Sequence, residues 1–209
     1  MTLTESKFRQ GMTPGQYIDG IKVNKQPFLD VYQAIDLPSR AQEFVKGLQG
    51  SLKVAVFTAD WCGDALSTTP AVLSLAESTD KIEVKIFNRD EELELTNSFL
   101  PEDRGGTVPV FVVFDSSMRE LARFIETANE LVPAVDAMDE QVAREAAAET
   151  GDNSRSAVRA QRTAFRVARA REWGETILEA FTGVIDEGLG LAQQERPAVG
   201  GTRWPSEPG

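Results

Sequence analysis

The chain has 209 residues, 41% of them apolar and 26% charged, with a net charge of −11, no histidine and a single cysteine. Imidazole acid/base catalysis, histidine metal sites, internal disulfides and cysteine-cluster metal sites are therefore excluded. The acidic balance argues against general nucleic-acid affinity, which needs a basic footprint.

The N-terminus, Met1-Thr2-Leu3-Thr4-Glu5-Ser6-Lys7, shows no cationic segment followed by an apolar one, so no secretory signal is expected. The longest strongly apolar run, Val108 to Phe114, is far too short to span a bilayer. A lone thiol without an export signal suits a reducing cytoplasm.

Thr13-Pro14-Gly15-Gln16 carries capping-box order, with proline at the first helical position. Tyr17, Ile18 and Ile21 follow at helical spacing. Phe28, Leu29, Tyr32 and Ile35 repeat that spacing, as do Ala41, Phe44, Val45 and Leu48 before Gly50. Lys53 to Thr58 is short, apolar and β-branched and predicts a buried strand. Thr68 to Ala76 predicts a helix with Pro70 as an irregularity. Ile82 to Phe87 predicts a second strand, Glu91 to Phe99 a short helix, and Val110 to Phe114 and Glu120 to Phe124 a hairpin. Helices follow over Asn129 to Thr150 and from Arg155 to about Gly188, the latter as one long or two abutting segments. Residues from about Gln193 are Gly-, Pro- and Ser-rich and are expected to be a loose tail. This order implies a mixed four-stranded sheet with helices on its faces. The expected organisation is an N-terminal helical extension (1–50), a core (51–127), a C-terminal helical extension (128–192) and the tail (193–209).

The chemistry concentrates on Ala59-Asp60-Trp61-Cys62-Gly63-Asp64-Ala65. A thiol where a buried strand hands over to a helix meets free N–H groups that stabilise a thiolate. An unperturbed thiol near pKa 8.5 is only about 3% ionised at pH 7. Asp60 and Asp64 oppose ionisation, and Arg104 favours it if its loop folds over the site. Asp64, in the first helical turn, also suits the helix dipole irrespective of function. Trp61 is either a lid on the site or a packed aromatic.

The ordered motifs Trp61-Cys62-Gly63 after a strand and Thr107-Val108-Pro109 before a hairpin resemble the thioredoxin superfamily, over Lys53 to Phe124. With its helical extensions and Asp60-Trp61-Cys62-Gly63-Asp64, the chain is similar to a bacterial branch of thioredoxin-like proteins. The resemblance implies a thioredoxin-like α/β fold, a cis proline at Pro109 lying against Cys62, and Val108 pairing its backbone with an extended substrate. Trp61 and Gly63 fall at substrate-positioning places.

The departures bear on activity. Ala65 stands where a second cysteine would be, so the dithiol cycle lacks its resolving thiol. Val56 stands where thioredoxins carry a buried aspartate as proton acceptor. No Gly-Gly pair follows the hairpin strands, where Arg119-Glu120-Leu121 stands, so the glutathione site of glutaredoxins is not expected. The reading is single-thiol exchange through Cys62 on protein or peptide thiols and disulfides, with an external resolving thiol and neither cofactor nor metal. The alternatives are a non-catalytic module holding an extended peptide by strand addition, or a structural homodimer built on the terminal helices. Neither nucleic acid nor membrane is an expected partner.

Arg155, Arg159, Arg162, Arg166 and Arg169 form one helical stripe. Its expected role is pairing with the preceding helix through Asp136, Glu140, Glu145 and Glu149, or a solvated face; binding of phosphate or an acidic partner is the sharper alternative. Phe165, Trp173, Ile177, Phe181 and Ile185 are expected to face the core or a dimer seam.

Overall fold

The computed structural model describes residues 3–148 and 155–202. Five strands form one mixed sheet: β1 (Leu52–Thr58), β2 (Ile82–Asn88), β3 (Val110–Asp115), β4 (Glu120–Ile125) and β5 (Ala198–Gly201), in the order β2-β1-β3-β4-β5. β1 runs parallel to β2 and antiparallel to β3, β3 and β4 form the hairpin, and β5 joins β4 in parallel.

The continuous apolar runs of β1 and β3 arise because both faces of the sheet are covered. Alternation sends Val54, Val56, Phe111 and Val113 to one face and Ala55, Phe57, Val110 and Val112 to the other. The first face packs against α2 (Pro14–Gly20), α3 (Lys25–Ala34), α4 (Ser39–Gly47), α5 (Gly63–Glu77) and α9 (Ala170–Gly190), through Tyr17, Phe28, Phe44, Leu73, Trp173 and Phe181. The second is covered by α1 (Glu5–Phe8) and α6 (Leu93–Asn97) with Leu3, Phe8, Leu95 and Phe99. Residues of the N- and C-terminal helices thus share one apolar core with the sheet. α7 (Val132–Ala148) and α8 (Arg155–Ala168) pack together, and α8 abuts α9 at Arg169 rather than continuing into it.

The Thr13 capping box is present in both directions: Gln16 N–H donates to Thr13 Oγ1 and Thr13 N–H to Gln16 Oε1. α5 starts earlier than the apolar periodicity implies, at Gly63, and carries Pro70 inside.

Two expectations are corrected. The sheet has five strands, not four, and residues 193–202 are seated rather than loose. Without β5, the outer edge of β4 would present unpaired backbone groups. Ala198 to Gly201 pairs with Ala122 to Ile125, and Thr202 is fixed by Arg104 and by its own hydroxyl on the Thr127 carbonyl. Gly201 has φ +93°, and a Cβ there would lie 2.1 Å from the Ile125 oxygen, so glycine is what admits this approach. The opposite edge is blunted likewise, where Met12 exchanges two backbone hydrogen bonds with Ile86 of β2. Residues 203–209 of the expected tail lie outside the described residues.

Candidate functional site

β1 ends at Thr58, and the chain turns through Ala59 to Trp61 before α5 begins. Cys62 is the residue before the first turn of α5, in extended conformation. It is half-buried, and its thiol donates to the Val108 carbonyl at 3.3 Å. The Val108–Pro109 peptide is cis, and both residues are buried. The fold thus brings together Cys62 and the turn before β3, which are 46 residues apart in sequence.

Burial pushes the Cys62 thiol above its ordinary value, and the Asp64 carboxylate pushes the same way. The Ala65 and Asp64 N–H groups and the Arg166 guanidinium pull it back without cancelling the rise. The start of α5 therefore does stabilise a thiolate, but burial dominates.

Arg166 is the side chain that sequence reading missed at this site. It is buried, with one guanidinium nitrogen 3.0 Å from Asp64 Oδ1, the other 3.2 Å from Ser67 Oγ, and its plane over the Trp173 ring at 5.5 Å. A Cβ on Gly63 would come 3.0 Å from Arg166 Nε, so the small residue after Cys62 leaves room for this guanidinium. The pairing expected for the stripe is corrected accordingly. Among the described residues, Arg162 alone of the stripe pairs with α7, through Asp139 rather than the acidic residues named from spacing. Arg159 donates to the Trp61 carbonyl at 2.7 Å, and Arg169 pairs with Glu172. Glu149 lies outside the described residues. Helical periodicity tells which residues share a face; it does not tell what that face meets.

Arg104 stands elsewhere than expected. Its guanidinium is buried between the Thr202 carbonyl and Glu126, each at 2.5 Å, and Arg166 occupies the place beside Asp64. Glu126 donates its backbone N–H to the Pro109 carbonyl at 2.7 Å, and burial raises its carboxyl despite Arg104. Asp60 turns from the thiol and accepts the N–H groups of Lys22 and Val23 at 2.9 and 3.0 Å. Asn24 donates to the Asp60 carbonyl at 3.0 Å, so the loop between α2 and α3 is tied to the thiol turn. Trp61 is exposed, donates from Nε1 to Asp90 at 3.1 Å and lies under the Arg89 guanidinium, so it flanks Cys62 without covering it. Tyr17 lies near Asp60 and Cys62, its hydroxyl pushed up to about 12 chiefly by burial.

Asp64→Asn removes the charge that opposes the thiolate while keeping an oxygen for Arg166. Alkylation of Cys62 by iodoacetamide at pH 7 is expected to accelerate roughly three- to tenfold. An unchanged rate would mean that the thiol does not feel Asp64.

The family model that matches is described as Thioredoxin and covers residues 11–142. Among solved structures, a protein of unknown function from Pseudomonas aeruginosa superposes with a TM-score of 0.63 at 17% identity, over 89% of this chain and 98% of the other. An HIV epitope-scaffold superposes with a TM-score of 0.59 at 19% identity, over 88% and 96% of the two chains. At these identities the likeness is one of fold. No curated protein matches.

Proposed function

The chain belongs to the thioredoxin family, and we propose that it acts as a single-thiol exchange protein in the cytoplasm, working on protein or peptide disulfides. The observation that carries this reading is the Cys62 thiol donating at 3.3 Å to Val108, beside the cis peptide to Pro109 at the mouth of α5. In the proposed step Cys62 loses its proton to solvent and its sulfur attacks a partner disulfide. A new bond joins Cys62 to one partner sulfur, and the other leaves as a thiolate. An external thiol then attacks this mixed disulfide, restoring Cys62 and leaving the partner sulfur bonded to the external one. Ala65 supplies no internal thiol for that second step. The N–H groups of Asp64 and Ala65 receive the thiolate, and Arg166 offsets the Asp64 charge.

The raised thiol fixes the sign of the pH dependence. The rate is expected to keep rising through and beyond ~8.5, where an unperturbed thiol would level off. The assay follows exchange between a peptide disulfide and an excess of a small thiol, with and without the protein. Acceleration that disappears in Cys62→Ser supports the reading; acceleration that survives the change contradicts it.

The same raised thiol favours a second reading, a binding module that holds an extended peptide against the Val108–Pro109 turn without redox chemistry. There, peptide binding persists in Cys62→Ser and exchange is not accelerated at all.

A further inference from the structure

The arginine stripe does more than brace Asp64. A cleft of about 560 Å³ opens beside the thiol turn, between α8, α7 and the Trp61-Gly63-Asp64 segment. Arg155, Arg159, Arg162 and Arg166 all line it, and their spacing of four, three and four puts them on one face of α8.

The acids lining the cleft are too few to balance them. Asp139 lies 2.9 Å from Arg162, and Asp64 lies 3.0 Å from Arg166. Arg159 has a neutral partner, the Trp61 carbonyl. Arg155 has no carboxylate partner among the described residues. Among the described residues, two cationic charges are thus left without a carboxylate in one concavity of a chain whose net charge is −11. The first turn of the 15-residue helix α5, at Gly63 and Asp64, forms part of the wall and adds its positive dipole end.

Guanidinium groups present planar donor forks that match phosphate and carboxylate oxygens. The volume exceeds that of a bare ion and falls within the range of small-molecule sites. Val135, Val158 and the exposed Trp61 offer apolar surface for the rest of such a molecule.

We infer that this cleft binds the dianionic group of a small molecule, a phosphate monoester or a dicarboxylate, with Arg155 and Arg159 as its principal donors. Trp61 and Gly63 flank Cys62 in sequence and both line the cleft, so the bound group lies next to the thiol turn.

The test is calorimetric titration of the full chain with inorganic phosphate and, separately, with glutarate, with acetate as the monoanion control. One binding event per chain is expected for at least one dianion, weakening steeply with added salt. Arg155→Ala/Arg159→Ala should weaken it about tenfold or more, as expected on removing charge-assisted hydrogen bonds. Both arginines are exposed, and an unchanged thermal melt shows that the double variant is folded. Preference for phosphate over glutarate, or the reverse, assigns the ligand's anionic group. No saturable binding of either dianion, equal binding of acetate, or binding that the double variant retains in full overturns the inference. Cys62→Ser is expected to bind as the wild type does, so failure of exchange and failure of anion binding are separately visible.

Discussion

Arg166→Met is expected to lower the melting temperature by about 6–12 °C and to slow alkylation of Cys62 at pH 7. Removing one partner of a buried ion pair costs ~3–5 kcal/mol. Asp64 keeps part of its hydration, its side chain being 28% exposed, so ~3 kcal/mol is the reasonable figure. For a chain of this size that corresponds to about 2–4 °C per kcal/mol. Methionine fills the space of the aliphatic stem, so the loss reports the guanidinium and its contacts to Asp64, Ser67 and Trp173 rather than a cavity. The slower alkylation follows because the cation that offsets Asp64 is gone while the carboxylate remains. A melt within about 2 °C of wild type, with alkylation unchanged, would show that α8 merely lies over the site.

Phe181→Ala is expected to destabilise the protein by about 3–5 kcal/mol while leaving the chemistry of Cys62 intact. Phe181 is 1% exposed on α9 and meets Phe111 and Phe124 edge-on, at ring separations of 5.7 and 5.6 Å. Phe111 lies on β3 and Phe124 on β4, so the truncation opens a cavity where the C-terminal helix crosses the hairpin. Gly188 nearby confirms how close that crossing is, since a Cβ there would lie 2.2 Å from the Leu121 carbonyl. Urea unfolding measures the effect. A loss below about 1.5 kcal/mol would mean that the site collapses easily or that α9 is only loosely held.

β1 and β3 are legible because a doubly covered strand must be apolar throughout, and Val54 to Phe57 and Val110 to Phe114 are; β2 is legible from the alternation of apolar and polar residues over Ile82 to Phe87. The start of α2 was legible because Thr13, Pro14 and Gln16 act locally. β5 was not, since Ala198-Val199-Gly200-Gly201 has little intrinsic strand character and becomes a strand only beside the free edge of β4. At the site, Cys62, Gly63, Val108 and Pro109 were found from ordered motifs, and the structure brings Cys62 and Val108 into contact. Their electrostatic setting was not legible. Arg104 and Arg166 are equally plausible cations in a linear sequence, and only the seat of α8 against α5 decides for Arg166. Asp60 looked like a tuner of the thiol and proves to be a tether for the loop before α3.

Whether Cys62 reacts with partner sulfur is read out by covalent capture. Full-length protein is incubated in cell extract, excess thiols are blocked, and bound proteins are recovered with and without reductant. The expected result is a set of partners joined to Cys62 by a bond that reductant releases and that Cys62→Ser cannot form. Recovery of the same partners on Cys62→Ser, indifferent to reductant, would contradict it.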